Sequence, residues 1–354
     1  MRWIWSTLKF AGRWLGPVLL VLAALIFLLL PMPFQDLERL PLLAGIVISA
    51  IAWVFTRAPR RRTARRVLAL GVLLGLAFYG WRIWDEKRGY HEEIVSFDNR
   101  GAHLVGTLFL PDRPGRSPGV VMLGGSPGIS RNAYRGYAAH FAQTGYVVLL
   151  YDKRGVGASS GKRQSLMGVA KDLDLLADDA SAALTLLAAR PEVRSEAVGF
   201  VGVSEGGFIA PRAAVLNGHA RFVVSITGPT MTLYEIARFQ SGSDKIITEF
   251  RSAHIADFDP MPSLRDLDIP GLWVMGEKDT LEPNAGSIRN LESLIGQGKP
   301  YEYRVIPGAW HGMLVGPKRL ILDTIDQWLA QVTTASASQP LRREQTSPTK
   351  GVAL

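Results

Sequence analysis

The residues best suited to chemistry lie in Phe200-Val201-Gly202-Val203-Ser204-Glu205-Gly206-Gly207. This stretch holds a G-x-S-x-G pattern between an apolar run of strand character, Ala197–Val203, and a helical pattern, Gly206–Leu216. A strand that turns abruptly into a helix holds a serine at the apex of a strained bend, with its hydroxyl presented outward. Gly202 and Gly206 permit the close backbone approach such a bend needs. The pattern also suits a plain glycine-rich turn, and its strand–turn–helix setting is what points to a nucleophile. A serine hydroxyl is a weak nucleophile at neutral pH and needs an adjacent base. The six histidines are His91, His103, His140, His219, His254 and His311. His311 stands in Pro307-Gly308-Ala309-Trp310-His311-Gly312, directly after the last predicted strand, where a loop can carry its imidazole over the serine. His91 and His103 fall on an opening edge pair, His140 on a helix, and His219 before a strand. His254, in a segment read as a cap, remains the rival base. The base in turn needs a carboxylate to set its tautomer and stabilise the imidazolium. Asp279 follows the strand Gly271–Met275 within Gly276-Glu277-Lys278-Asp279-Thr280, with Glu277 and Glu282 as nearby competitors. A tetrahedral oxyanion also needs backbone donors. The N–H of Glu205, next to the nucleophile, and that of Ser126, within Gly124–Gly128, are the candidates. The glycines of that second loop also suit ordinary turn chemistry.

These residues need elements that bring them together. Glu93–Phe97 and Leu104–Leu110 read as strands around the turn Asp98-Asn99-Arg100-Gly101. Further strands are expected at Gly119–Leu123, Tyr146–Tyr151, Ala197–Val203, Phe222–Ile226, Gly271–Met275 and Tyr301–Ile306. Helical spacing covers Tyr134–Gln143, Lys171–Ala189, Gly206–Leu216, Ala285–Leu294 and Lys318–Gln331. Strands alternating with helices imply βαβ units and a mostly parallel sheet with helices on both faces, opened by an antiparallel edge. Ligands of such sheets bind beyond the carboxyl ends of the strands, which is where Ser204, Asp279 and His311 all fall.

Composition divides the chain of 354 residues. Residues 1–88 carry 13 Lys and Arg against 4 Asp and Glu, leaving 27 of each sign in the remainder. The whole formal charge of +9 therefore belongs to the first quarter. A nucleic-acid partner is not expected, because the larger part has no excess of positive charge to meet phosphates. The same first quarter holds three apolar runs, near 15–34, 40–56 and 67–84, at the short end of the length that spans a bilayer. Arg57, Arg60, Arg61, Arg62, Arg65 and Arg66 lie between the second and third runs. Positive charge stays on the cytoplasmic side, so three spans put a catalytic domain at 89–333 outside the cytoplasm, in the periplasm of a bacterium with two membranes. A cleaved signal peptide followed by buried helices, or two spans with a cytoplasmic domain, are the alternatives. Only Asp85–His91 separate the last run from the first predicted strand, a tether short enough to keep the domain near a membrane surface. Residues 334–354, rich in Ser, Thr, Pro and Gln, read as a disordered tail. There is no cysteine, which excludes disulfides, thiolate zinc sites and a cysteine nucleophile.

Residues 92–333 resemble the α/β-hydrolase superfamily, in particular its esterase, thioesterase and prolyl-oligopeptidase-like branch. The resemblance rests on the order Ser204…Asp279…His311 and on Tyr151-Asp152-Lys153-Arg154-Gly155-Val156-Gly157-Ala158-Ser159, which looks like the D-x-R-G-x-G-x-S segment after the fourth strand. It implies the α/β-hydrolase fold, serine hydrolysis of an ester or thioester without metal or organic cofactor, and a bracing role for Asp152 and Arg154. Two departures stand out. Gly124 occupies a position where many members carry histidine, and the segment between the strands ending at Ile226 and beginning at Gly271 leaves room for only a small cap, 229–265. A peptidase or acyltransferase using the same three residues is the second enzymatic reading, and a non-catalytic binding protein on the same fold is the reading from another class. Within the cap, Met231, Leu233, Tyr234, Ile236, Phe239, Ile246, Ile247 and Phe250 recur at helical spacing. They suit either helices covering an apolar acyl pocket or simple packing on the sheet. A lipid-like or other small-molecule ester is the expected substrate.

Overall fold

The computed structural model of the chain describes residues 88–126, 128–162, 170–311 and 318–338. The three apolar runs of residues 1–87, the segment 312–317 and the tail beyond 338 lie outside them. Among the described residues no helix is long and apolar enough to cross a membrane. The chain divides after Arg88 into two units, and the second, from Gly89 onward, carries everything below.

Strand β1 (Tyr90–Asn99) returns through Arg100 and Gly101 into β2 (Ala102–Pro111), pairing antiparallel from Tyr90↔Pro111 to Asn99↔Ala102. Both turn residues have positive φ, 41° and 74°, as the two-residue hairpin turn that matches strand twist requires. That tight turn lets both strands pair over ten residues, longer than their apolar centres suggest. The other edge of β2 pairs antiparallel with β4 (Val147–Tyr151). From there β3 (Ser117–Leu123), β5 (Val193–Val203), β6 (Val223–Ile226), β7 (Gly271–Gly276) and β8 (Tyr301–Ile306) continue the sheet in parallel. The eight strands stand in the order β1-β2-β4-β3-β5-β6-β7-β8. Every residue of β3, β4, β6 and β7 is buried. Strands covered on both faces have no polar side to alternate with, so they read as continuous apolar runs.

Alternate residues feed two cores. Val121, Leu123 and Leu108 face α2 (Ala170–Ala188) and α3 (Glu205–Asn217), with Leu173 and Phe208 among the partners. Val120, Met122 and Phe109 face α1 (Arg135–Gln143) and the closing helix, through Phe141, Ile321 and Ile325. Between β6 and β7 the chain forms α4 (Leu233–Ser241), α5 (Lys245–Ser252) and α6 (Met261–Asp266), where a cap was expected. A capping box starts α4: the Thr232 hydroxyl accepts from the Glu235 amide, and the Glu235 carboxylate accepts from the Thr232 amide. Ile236 and Phe250 are buried, and Ile236 joins the core that holds Phe208 and Phe258. Part of the cap's apolar spacing therefore serves packing, while Phe239 stays 47% exposed. Helix α7 (Asn284–Gly296) packs Leu291 and Leu294 against Trp273 and Tyr301.

The closing helix α8 runs from Lys318 to Ser338, seven residues past its expected end at Gln331. The expected tail therefore does not begin at Thr334. The Thr333 and Thr334 hydroxyls donate back to the carbonyls of Leu329 and Ala330, both at 2.7 Å, and Thr333 is buried. Hydroxyls bonded back to the carbonyl four residues earlier are compatible with a continuous helix.

Candidate active site

Ser204 sits between the last residue of β5 and the first of α3, at φ 52° and ψ −119°. A positive φ on a residue other than glycine is strained and persists only where the surroundings over-determine it. Here the Ser204 amide donates to the Ile226 carbonyl at 2.8 Å, and the Ser204 carbonyl accepts from the Phe208 amide at 2.9 Å. The motif glycines are sterically required. A Cβ on Gly202 would lie 2.3 Å from the Gly206 carbonyl group, and one on Gly206 2.2 Å from the Leu123 oxygen. The bend and β3 thus approach to backbone contact.

His311 reaches the serine from the loop after β8. Its Nε2 is 3.0 Å from the Ser204 Oγ, and its Nδ1 is 2.9 Å from the Asp279 Oδ2. The Asp279 side chain is wholly buried. Its Oδ1 accepts from the amides of Leu281 at 2.9 Å and Glu282 at 3.1 Å. The loops after β7 and β8 hold each other: the Lys278 amide donates to the Ala309 carbonyl at 2.8 Å, and the Gly308 amide to the Glu277 carboxylate at 2.8 Å. Glu277 is thereby committed to bracing the loop that carries His311. Glu282 is buried, and among the described residues its Oε2 has no hydrogen-bond partner. Burial first, and then the charge of Asp279, push its carboxyl well above the ordinary glutamate range. Neither glutamate meets the imidazole. His254 lies exposed just past α5 with φ 56°. His91, His103 and His140 pair with Asp112, Asp98 and Asp326. The structure thus brings Ser204, His311 and Asp279 together and leaves the competing residues elsewhere.

The loop after β3 lies against the serine, since a Cβ on Gly125 would be 3.2 Å from the Ser204 Cβ. Tyr134, buried, fills the space beside it. A Cβ on Gly124 would lie 2.7 Å from the Tyr134 ring, and one on Gly125 2.8 Å from its hydroxyl. The ring explains why glycine stands at 124. Burial raises the Tyr134 phenol pKa, opposed by a bond from the Gly125 amide. The D-x-R-G segment after β4 braces as expected. Asp152 accepts from the amides of Arg131 at 2.7 Å and Ala158 at 2.9 Å, and from the Arg131 guanidinium. Arg154 grips Asp179 on α2 with two nitrogens, at 2.7 and 2.5 Å.

Lys153, between them, has a role that motif reading missed. Its ammonium donates to the Gly125 carbonyl at 2.7 Å and to the Glu205 carboxylate at 2.5 Å, with both side chains buried. The signal was a lysine two residues after β4 and a glutamate two residues after β5, in a sheet where those strands flank β3. Among the described residues no cluster of three or more His, Asp or Glu is placed to hold a metal.

A sheet in this strand order, carrying a strained serine turn after its fifth strand, is the α/β-hydrolase fold. Residues 104–323 match the Dienelactone hydrolase family over more than half of the sequence, and the chain belongs to that family of hydrolases. An uncharacterized protein of Pseudomonas aeruginosa is 29% identical over 178 residues, 48% of this chain and 46% of its own length. A protein named thiohydrolase aneE, from Aspergillus aculeatus, is 31% identical over 143 residues, 40% of this chain and 42% of its own. The chain thus spans less than half the length of these relatives. Among solved structures, a Pyrococcus furiosus esterase superposes with a TM-score of 0.56 at 19% identity, covering 70% of this chain and 93% of its own. At that identity the likeness concerns the fold.

Proposed function

We propose that the chain is a membrane-anchored serine hydrolase that cleaves an ester or thioester through an acyl-enzyme on Ser204. The observation that carries this reading is the unbroken hydrogen-bonded line from Ser204 Oγ through His311 to buried Asp279. Ser204 Oγ attacks the acyl carbon while its proton passes to His311 Nε2, and Asp279 stabilises the imidazolium through Nδ1–H. The carbonyl oxygen becomes an oxyanion, received by the backbone N–H groups of Glu205 and Ser126. Collapse expels the alcohol or thiol, which takes the proton from His311. Water then attacks the acyl carbon, giving a proton to His311, and Ser204 leaves with that proton as the acid is released.

The surroundings favour an apolar acyl chain. Trp310 precedes His311 and is 50% exposed, and Leu281, whose amide binds Asp279, is 48% exposed. Helix α4 of the cap touches the same loop, where Gln240 donates to the Leu281 carbonyl at 2.9 Å. Large apolar side chains exposed next to the catalytic residues suit an apolar ligand. The thiohydrolase relative supports a thioester within the same chemistry. The apolar runs and arginine-rich loop of residues 1–88 support anchoring, with the catalytic domain on the extracytoplasmic side.

A fluorophosphonate probe should label the full chain, and Ser204→Ala should abolish both labelling and turnover. Labelling that survives Ser204→Ala overturns the nucleophile. Across esters and thioesters of increasing chain length, medium chains should react faster than acetyl, and faster than aminoacyl amides; the reverse order overturns the apolar substrate. An export-dependent reporter fused after Ala330 should be active, and activity only in a cytoplasmic reporter overturns the topology.

A further inference from the structure

We propose that Lys153 is a positioning residue that holds both backbone donors of the oxyanion hole in register at once. The proposal rests on the serine mechanism above and adds a residue that the mechanism does not itself require.

Sheet order creates the arrangement. The loop after β3 lies between those after β4 and β5, because the strands run β4-β3-β5. Lys153 enters from one side and Glu205 from the other. The ammonium binds the Gly125 carbonyl at 2.7 Å and the Glu205 carboxylate at 2.5 Å. The Gly125 carbonyl and the Ser126 N–H belong to one planar peptide unit and point in opposite directions when it is trans; no peptide in the described residues is cis. Fixing the carbonyl on Lys153 therefore turns the Ser126 N–H away from Lys153 and sets its angle. Glu205 supplies the second donor through its own N–H, at the first residue of α3. Its carboxylate anchors that residue to the same ammonium. Both donors are thus referenced to one point.

Glycines make such a reference necessary. Gly124 and Gly125 form a stretch with no side chain of its own to fix the peptide plane. The Tyr134 hydroxyl packs against Gly125, 2.8 Å from where a Cβ would stand, and Lys153 holds the Gly125 carbonyl. A buried ion pair is weak evidence of a stabilising role. Lys153 and Glu205 are 6% and 9% exposed, and replacing a buried ion pair with apolar side chains of similar volume is often neutral or stabilising. An oxyanion hole works by donors already in place when charge develops, and a buried, doubly bonded ammonium supplies that preorganisation.

The test uses the purified full chain with Lys153→Met and the double variant Lys153→Met/Glu205→Leu, which removes both charges of the pair. Turnover of a p-nitrophenyl ester, inhibition by a trifluoromethyl ketone and the melting temperature are measured together. The ketone is chosen because its adduct with Ser204 places an oxyanion in the hole. The expected result is a fall in kcat of about 10- to 100-fold, below the loss for deleting a donor outright, with KM unchanged. Affinity for the ketone should fall by the same factor as kcat/KM, and the double variant should melt close to the parent protein. Turnover near that of the parent in either folded variant overturns the proposal. So does a loss carried by KM with ketone affinity intact. A melting temperature that collapses in both variants assigns the pair to folding and overturns it as well. Labelling of the parent at Ser204 separates the two levels: if it fails, the serine mechanism falls, whereas normal labelling with full turnover in Lys153→Met removes only the role of Lys153.

Discussion

Replacing Asp279 by asparagine should inactivate the enzyme through one misplaced proton while leaving the fold standing. Asp279 accepts three hydrogen bonds in a wholly buried setting: two backbone amides at Oδ1 and the His311 Nδ1–H at Oδ2. Asparagine has one oxygen and one NH2 group. With the oxygen at the Oδ1 position, both amide bonds survive and the NH2 faces His311. The opposite orientation sets NH2 against two backbone donors and leaves both buried amides unsatisfied, at about 1–3 kcal/mol each. The first orientation therefore wins. His311 Nδ1 must then accept, so its proton moves to Nε2, which lies 3.0 Å from the Ser204 Oγ. An Nε2 that already carries a proton cannot take the one from serine. Loss of the correct tautomer costs a factor of about 10⁴ in kcat, or about 5.5 kcal/mol of transition-state stabilisation. Exchange of one charge-assisted bond for a neutral one should cost only about 1 kcal/mol of stability. Ester turnover and thermal melting, measured side by side on Asp279→Asn, check both figures. Retention of more than about a tenth of kcat refutes the tautomer argument, given the size of effect expected. Equal inactivation by Glu282→Gln would show that the wrong acid has been placed opposite His311.

Glu282→Gln should instead leave turnover largely intact and flatten the pH dependence of stability. The raised carboxyl pKa of Glu282 means that the folded state binds a proton the unfolded state releases. Its favourable contribution is therefore complete below the unfolded glutamate range, about 4.3, and is lost as pH rises through the folded value. Melting curves from pH 4 to 9 should show the parent protein losing stability relative to Glu282→Gln as pH increases; curves that run parallel refute a neutral Glu282. Gly206→Ala should cost about 3 kcal/mol or more, because its Cβ would lie 2.2 Å from the Leu123 oxygen. Gly296→Ala, with open space at its Cβ, should be neutral or stabilise by about 0.4–1 kcal/mol. Urea denaturation measures both, and similar values for the two would refute steric closeness as the reason for the motif glycine.

Much of this molecule is determined locally and is legible in the order of its residues. The buried strands are apolar runs because both faces are covered. Ser204 announces itself because a strand-to-helix bend leaves glycine as the only residue that fits at 202 and 206. Asp279 and His311 follow from the strands they trail. The tertiary structure shows what sets Asp279 apart from its two neighbouring acids: Glu277 turns to the Gly308 amide, Glu282 is buried with an unpartnered oxygen, and Asp279 reaches His311. It also decided the extent of α8, which runs on to Ser338 through Thr333 and Thr334, their hydroxyls bonded back to Leu329 and Ala330. It placed the Tyr134 ring where a side chain at 124 would stand. Above all it joined Lys153 to Glu205, 52 residues apart in sequence. Turn chemistry and periodicity act over a few residues and leave their mark there. An encounter between the loops of β4 and β5 depends on β3 lying between them, and strand order is set by how the whole sheet buries its two faces.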